Sequence, residues 1–151
     1  MATLTQIQSF LAPKKMIIAG ASRNPKKFGG QVFSELLKKG FSLYPLHPEA
    51  EQIQGITCYK SLDDIPEMPE YLYIVTPKKE TYAIVEQAVN HGIRNIWIQQ
   101  QSDTKEAVEL ARRHNAELIT GHCMFMYAEP VGSIHGFHRF LSRLFGAYPK
   151  A

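Results

Sequence analysis

Long apolar runs are missing from this chain. No stretch approaches the roughly 20 residues that a membrane-spanning helix needs, so no membrane partner is expected. The N-terminus lacks a basic segment followed by an apolar core, so no signal peptide is expected either. Cysteine is scarce: Cys58 and Cys123 cannot build a disulfide framework, which makes a reducing cytoplasm the expected compartment. An excess of one charge is lacking too. The net charge of +3 is about what the Arg23–Lys27 loop supplies by itself. No basic stripe with interleaved aromatics accompanies it, so no nucleic-acid partner is expected. Internal repeats, low-complexity stretches and linkers are absent, and 151 residues with 44% hydrophobic content suit a single domain, 1–151.

What is present is organised around Met16–Gly30, MIIAGASRNPKKFGG. The apolar run Met16-Ile17-Ile18-Ala19 ends at Gly20. A polar loop with Ser22, Arg23, Lys26 and Lys27 follows, and Gly29-Gly30 open a helical pattern. Such a strand–loop–helix junction gathers backbone N–H groups and the positive end of a helix dipole, which suits an anion. Gly20 permits a sharp turn and the approach of a ligand to the backbone. The plainer reading of the same residues is a solvated basic loop. The dinucleotide pattern G-x-G-x-x-G is lacking, because Ser22 stands two after Gly20 and the next glycine is Gly29. An acidic residue for a ribose 2′-hydroxyl is also lacking at the end of the second strand, where His47-Pro48 stand. NAD is thereby disfavoured, while NADP and coenzyme A (CoA) remain open.

Elsewhere helical and strand patterns alternate. Leu4, Ile7 and Leu11 predict an N-terminal helix over 4–11; Val32, Phe33, Leu36 and Leu37 predict another, ended by Gly40. Strands are expected at Phe41–Leu46, Tyr71–Val75, Asn95–Ile98 and Glu117–Thr120, beside the first at Met16–Ala19. Thr76 is placed to cap a helix with Pro77 at its first position, and Ser61/Asp64 and Asp103/Glu106 have capping-box spacing. The alternation predicts an α/β fold: a doubly wound, parallel, five-stranded Rossmann-like sheet with core 15–123. The expected order is 3-2-1-4-5, with ligands at the carboxyl ends of strands one and four. In the tail, 124–151, Phe137, Phe140, Leu141, Leu144 and Phe145 predict an extra C-terminal helix, which would pack on its own domain or on a second subunit.

With these pieces placed, the chain resembles the small stand-alone CoA-binding proteins with a Rossmann fold, which are related to the CoA-binding domain of succinyl-CoA synthetase and ADP-forming acyl-CoA synthetases. The resemblance runs from about Lys15 to Cys123. It is carried by IIAGAS with Gly29, YPLHPEAEQIQGITCYKSLDDIP, the VTP turn, NIWIQQ and Cys123. It implies CoA or an acyl-CoA as ligand, and a homodimer or an acyl-CoA enzyme as partner. It further implies that Gly20, Ala21, Ser22, Arg23, Lys26, Lys27 and Gly29 hold phosphates, and that His47 and Pro48 border the adenosine. Thr76 and Pro77 would sit beside the nucleotide and Gln99 near the pantetheine path. The chain departs from the family pattern at His47 (usually asparagine), Glu70 (usually aspartate) and Gln101 (typically glycine), the last of which would narrow the pantetheine route.

Catalytic patterns are scarce. Gly20-Ala21-Ser22 is not a G-x-S-x-G elbow, and no carboxylate pair stands out beyond the helix caps. His122, Cys123, His135 and His138 match no standard zinc spacing. The function read here is CoA binding without evident catalytic machinery; the alternative is a small NADP-dependent oxidoreductase. Cys123 is either a buried structural thiol, the commoner fate, or a thiol that exchanges with CoA disulfide.

Overall fold

The computed structural model describes residues 2–127. Helix α1 (Leu4–Leu11) precedes β1 (Lys15–Ala19), α2 (Phe28–Lys38) and β2 (Ser42–Leu46). A two-stranded hairpin, β3 (Gln52–Ile53) with β4 (Ile56–Thr57), and a 3₁₀ turn at Leu62–Asp64 follow. Then come β5 (Tyr71–Ile74), α3 (Lys78–Asn90), β6 (Asn95–Gln99), α4 (Lys105–Arg113), β7 (Glu117–His122) and a 3₁₀ turn at Met124–Met126. No helix among the described residues is long and apolar enough to cross a membrane. The expected C-terminal helix, beyond Tyr127, lies outside the described residues.

The five main strands form one parallel sheet in the order β2-β1-β5-β6-β7. The α/β doubly wound architecture is as expected, but the order 3-2-1-4-5 is not. The third main strand, β5, pairs with the first, giving 2-1-3-4-5. Two features of the chain explain this. Met16–Ala19 of β1 and Leu72–Ile74 of β5 are buried, as strands covered on both faces must be. β2 instead carries Pro45, which has no N–H to donate and is tolerated at a sheet edge. Its carbonyl faces outward and accepts from Tyr59 N at 2.8 Å, and Tyr59 bridges Leu46 in parallel. The 57–60 segment thus occupies the outer edge of β2, and β5 takes the free side of β1. The reversal of strand order, where open α/β sheets bind ligands, therefore lies between β1 and β5 and not at strand four.

Two apolar layers enclose the sheet. Ile7, Phe10, Val32, Phe33 and Leu36 of α1 and α2 pack on Met16, Ile18, Tyr73 and Trp97. Val85, Ala88, Ala107, Leu110 and Ala111 of α3 and α4 pack on Ile17, Leu72, Ile74, Ile96 and Ile98. Helix starts follow the local chemistry. Thr3 and Gln6 form a capping box on α1, and Thr104, in place of the expected Asp103, caps α4 by accepting from Ala107 N at 3.2 Å. Ser61 and Asp64 make the expected box.

Candidate functional site

The exit of β1 is built by glycine. Gly20 has φ +102°, and a Cβ there would come within 2.6 Å of the Val75 carbonyl carbon. A Cβ on Gly29 would overlap the Gly20 carbonyl oxygen, and one on Gly30 would overlap the Asn24 carbonyl oxygen. The glycines therefore let the chain approach itself: α2 is pressed onto the strand exit, and that exit onto the Val75-Thr76 backbone. At Gly20 this packing is one reason for glycine, and the residue also lines the cleft described next. Between the glycines the loop holds its own shape. Asn24 N donates to Ser22 Oγ (3.1 Å), Lys26 N to Asn24 Oδ1 (2.9 Å) and Lys27 N to the Asn24 carbonyl (3.1 Å).

Over the carboxyl ends of β1, β2 and β5 lies a cleft of about 690 Å³. Of the residues singled out from sequence, Gly20, Ala21, Ser22, Lys27, Gly29, His47, Pro48, Thr76 and Pro77 line it. Two helices begin here, and neither is capped by a side chain. α2 starts after Lys27 and α3 after Pro77, and neither residue makes a side-chain cap bond. Away from the cleft, α1 and α4 are both capped by threonine. The third N–H of each helix bonds the cap residue's carbonyl (Gly30 N to Lys27 O, 3.0 Å; Glu80 N to Pro77 O, 2.9 Å), which leaves the N–H groups of Phe28 and Gly29 in α2 and of Lys78 and Lys79 in α3 without a cap bond, at the positive ends of two dipoles. Thr76, expected as the α3 cap, turns inward instead. Its hydroxyl meets Thr81 Oγ1 at 3.0 Å, and Thr81 donates to the Ser102 carbonyl at 2.7 Å.

The positive charge of the cleft differs from the expected set. Arg23 and Lys26 are exposed and do not line it; Arg23 sits 3.9 Å from Glu49. Lys60 and Lys79, which are not among the phosphate-binding residues expected from sequence, join Lys27 there. Lys79 was legible as a first-turn residue of α3. Lys60 depends on the Leu46–Tyr59 bridge, a long-range pairing with no local signature. Among the described residues, no carboxylate lies within 4.0 Å of Lys27, Lys60 or Lys79. His47 shapes the neighbouring turn: its Nδ1 accepts from Glu49 N (3.1 Å) and Ala50 N (2.8 Å). Leu46, Ala83 and Ile84 supply apolar wall.

Gln99 lies elsewhere. It is only 4% exposed, and its Oε1 accepts from Tyr73 Oη (2.7 Å) and Met124 N (3.0 Å), so it braces the 123–127 segment and does not line the cleft. Burial pushes the Tyr73 phenol well up, which keeps it the donor in that pair. Gln101 is exposed at φ +70°, a conformation that favours the glycine typical there, and it too is outside the cleft. Cys123 is buried among Tyr73, Met124 and Phe125, the environment of a structural thiol. Burial also lowers the His122 pKa; its Nδ1 meets Tyr127 Oη at 3.2 Å. Among the described residues no group of three or more His, Cys, Asp or Glu is placed to hold a metal ion, and His135 and His138 lie outside them.

A parallel five-stranded sheet flanked by helices, with a cleft where its strand order reverses, defines an α/β domain of the Rossmann-like class. The chain belongs to the CoA binding domain family, whose model matches residues 14–129. It is 29% identical over 126 residues to the alpha subunit of an ADP-forming acetate–CoA ligase II from Pyrococcus furiosus, covering 76% of this chain and 28% of that one. An ADP-forming acetate–CoA ligase from Methanocaldococcus jannaschii is 27% identical, with 74% of this chain and 17% of that one covered. The chain thus spans less than a third of these curated relatives. Among solved structures it is similar to a hypothetical protein from Pyrococcus horikoshii (TM-score 0.74, 31% identity), covering 82% of this chain and 87% of that one.

Proposed function

We propose that this chain holds coenzyme A in the β1–β2–β5 cleft, with the pyrophosphate on the starts of α2 and α3. The carrying observation is the pair of uncapped helix N-termini facing one cleft that also contains three lysines without carboxylate partners. Backbone N–H groups and helix dipoles favour phosphate oxygens, and charge-assisted bonds from Lys27 and Lys79 add to them. Ser22 Oγ accepts from Asn24 N, which leaves its hydroxyl proton for a phosphate oxygen. Leu46, Pro48, Ala83 and Ile84 offer the apolar surface that an adenine ring needs. Membership of the CoA binding domain family supports this ligand over other phosphorylated nucleotides.

Calorimetric titration with CoA, acetyl-CoA, NADP and NAD tests the reading. CoA is expected to bind one to one, and to bind more weakly as salt is raised, because part of the attraction is screened. NAD, which lacks a third phosphate, is expected to bind least. Tight NADP binding without CoA binding would overturn the proposal and return the oxidoreductase reading.

A further inference from the structure

Lys60 is the lysine of the cleft that belongs to neither helix start. Its position is fixed by backbone pairing at the end of β2. Tyr59 N donates to the Pro45 carbonyl at 2.8 Å, and His47 N donates to the Tyr59 carbonyl at 2.9 Å. Lys60 therefore follows the residue that His47 is bonded to, and both line the cleft. The His47 ring is oriented by the turn: Nδ1 accepts from two backbone N–H groups, so a neutral ring carries its proton on Nε2. This segment thus offers the cleft an ammonium and an imidazole N–H, with no carboxylate within 4.0 Å of the ammonium among the described residues.

Two helix starts and their lysines suffice for a pyrophosphate, which leaves Lys60, after β4 and part of neither start, for a further charge. CoA carries such a charge, the phosphomonoester on the ribose 3′-oxygen. A phosphomonoester holds between one and two negative charges near neutral pH and three acceptor oxygens, and a lysine ammonium is a compact point charge suited to it. We propose that Lys60, with the His47 Nε2–H, reads this 3′-phosphate and makes the site select CoA over 3′-dephospho-CoA. The assignment rests on the CoA reading given above.

The test is a set of titrations of wild type, Lys60→Ala, His47→Asn and Lys27→Ala with CoA and 3′-dephospho-CoA. Wild type is expected to prefer CoA by about tenfold or more, the size of one charge-assisted contact. Lys60→Ala should bring the two affinities close together by weakening CoA alone. His47→Asn keeps an acceptor for the turn and removes the imidazole donor, so it should narrow the preference in the same direction. Lys27→Ala should weaken both ligands alike. The assignment is overturned if Lys60→Ala leaves the preference intact, if it weakens both ligands equally, or if wild type binds the two equally well. Failure of wild type to bind either ligand would instead bring down the CoA reading, and Lys60 with it.

Discussion

Alanine at position 29 is expected to lower the stability of the protein by about 3 kcal/mol, at the upper end of the range for overpacking. The added methyl would overlap the Gly20 carbonyl oxygen, a backbone atom at the end of a buried strand, so no flexible side chain can give way. Alanine's better helix propensity, worth about 1 kcal/mol, opposes this and is outweighed. Relief requires α2 to move off β1, which would carry its N–H groups away from the cleft, so CoA affinity should fall along with stability. Gly92→Ala is the control. Gly92 has φ +81° but open space around it, so its cost should be the conformational one alone, about 1 kcal/mol. Urea midpoints of the two variants check the difference. A Gly29→Ala protein as stable as wild type would show that the contact between β1 and α2 is loose.

Neutralising single cations should separate the lysines of the cleft from the residues next to them in sequence. Lys27→Ala and Lys79→Ala are each expected to weaken CoA binding by about tenfold or more, since a hydrogen bond to a charged group is worth about 1.5–3 kcal/mol. Arg23→Ala and Lys26→Ala should change it by no more than about twofold, the size expected of screened surface charge. Arg23 is 60% exposed in its side chain and faces Glu49, and Lys26 lies outside the cleft. Titration of the four variants at one ionic strength decides the matter. Equal losses in all four would mean that the general basic character of the loop, and not contact, attracts the ligand.

The contrast shows where the sequence was legible. The run MIIAG, the two glycines at 29 and 30 and the alternation of strands with helices marked the junction and the α/β class, because period and glycine placement are local properties. Pro45 is a readable sign that β2 is an edge strand, and it argues against the order 3-2-1-4-5. Three differences between the residues expected from sequence and those lining the cleft have longer-range causes. Arg23 and Lys26 neighbour Lys27 in sequence, but the Asn24-centred turn leaves them outside the cleft lining. Lys60 reaches the cleft only through the pairing of Tyr59 with Leu46. Gln99 ends a strand on the expected rim, yet Tyr73 and Met124 claim its carbonyl oxygen. Hydrogen-bond competition of this kind is decided by tertiary neighbours, which residue type and spacing do not disclose.

The proposed site sets the phosphates of CoA on two uncapped helix starts. At 17.1 kDa the chain suits backbone amide NMR, and a CoA titration followed residue by residue tests the claim most directly. The largest shifts are expected at the amides of Phe28 and Gly29 in α2 and of Lys78 and Lys79 in α3, with smaller ones at Ser22 and His47. Shifts that spare both helix starts, or that gather around Gln99 and Met124–Tyr127, would contradict it.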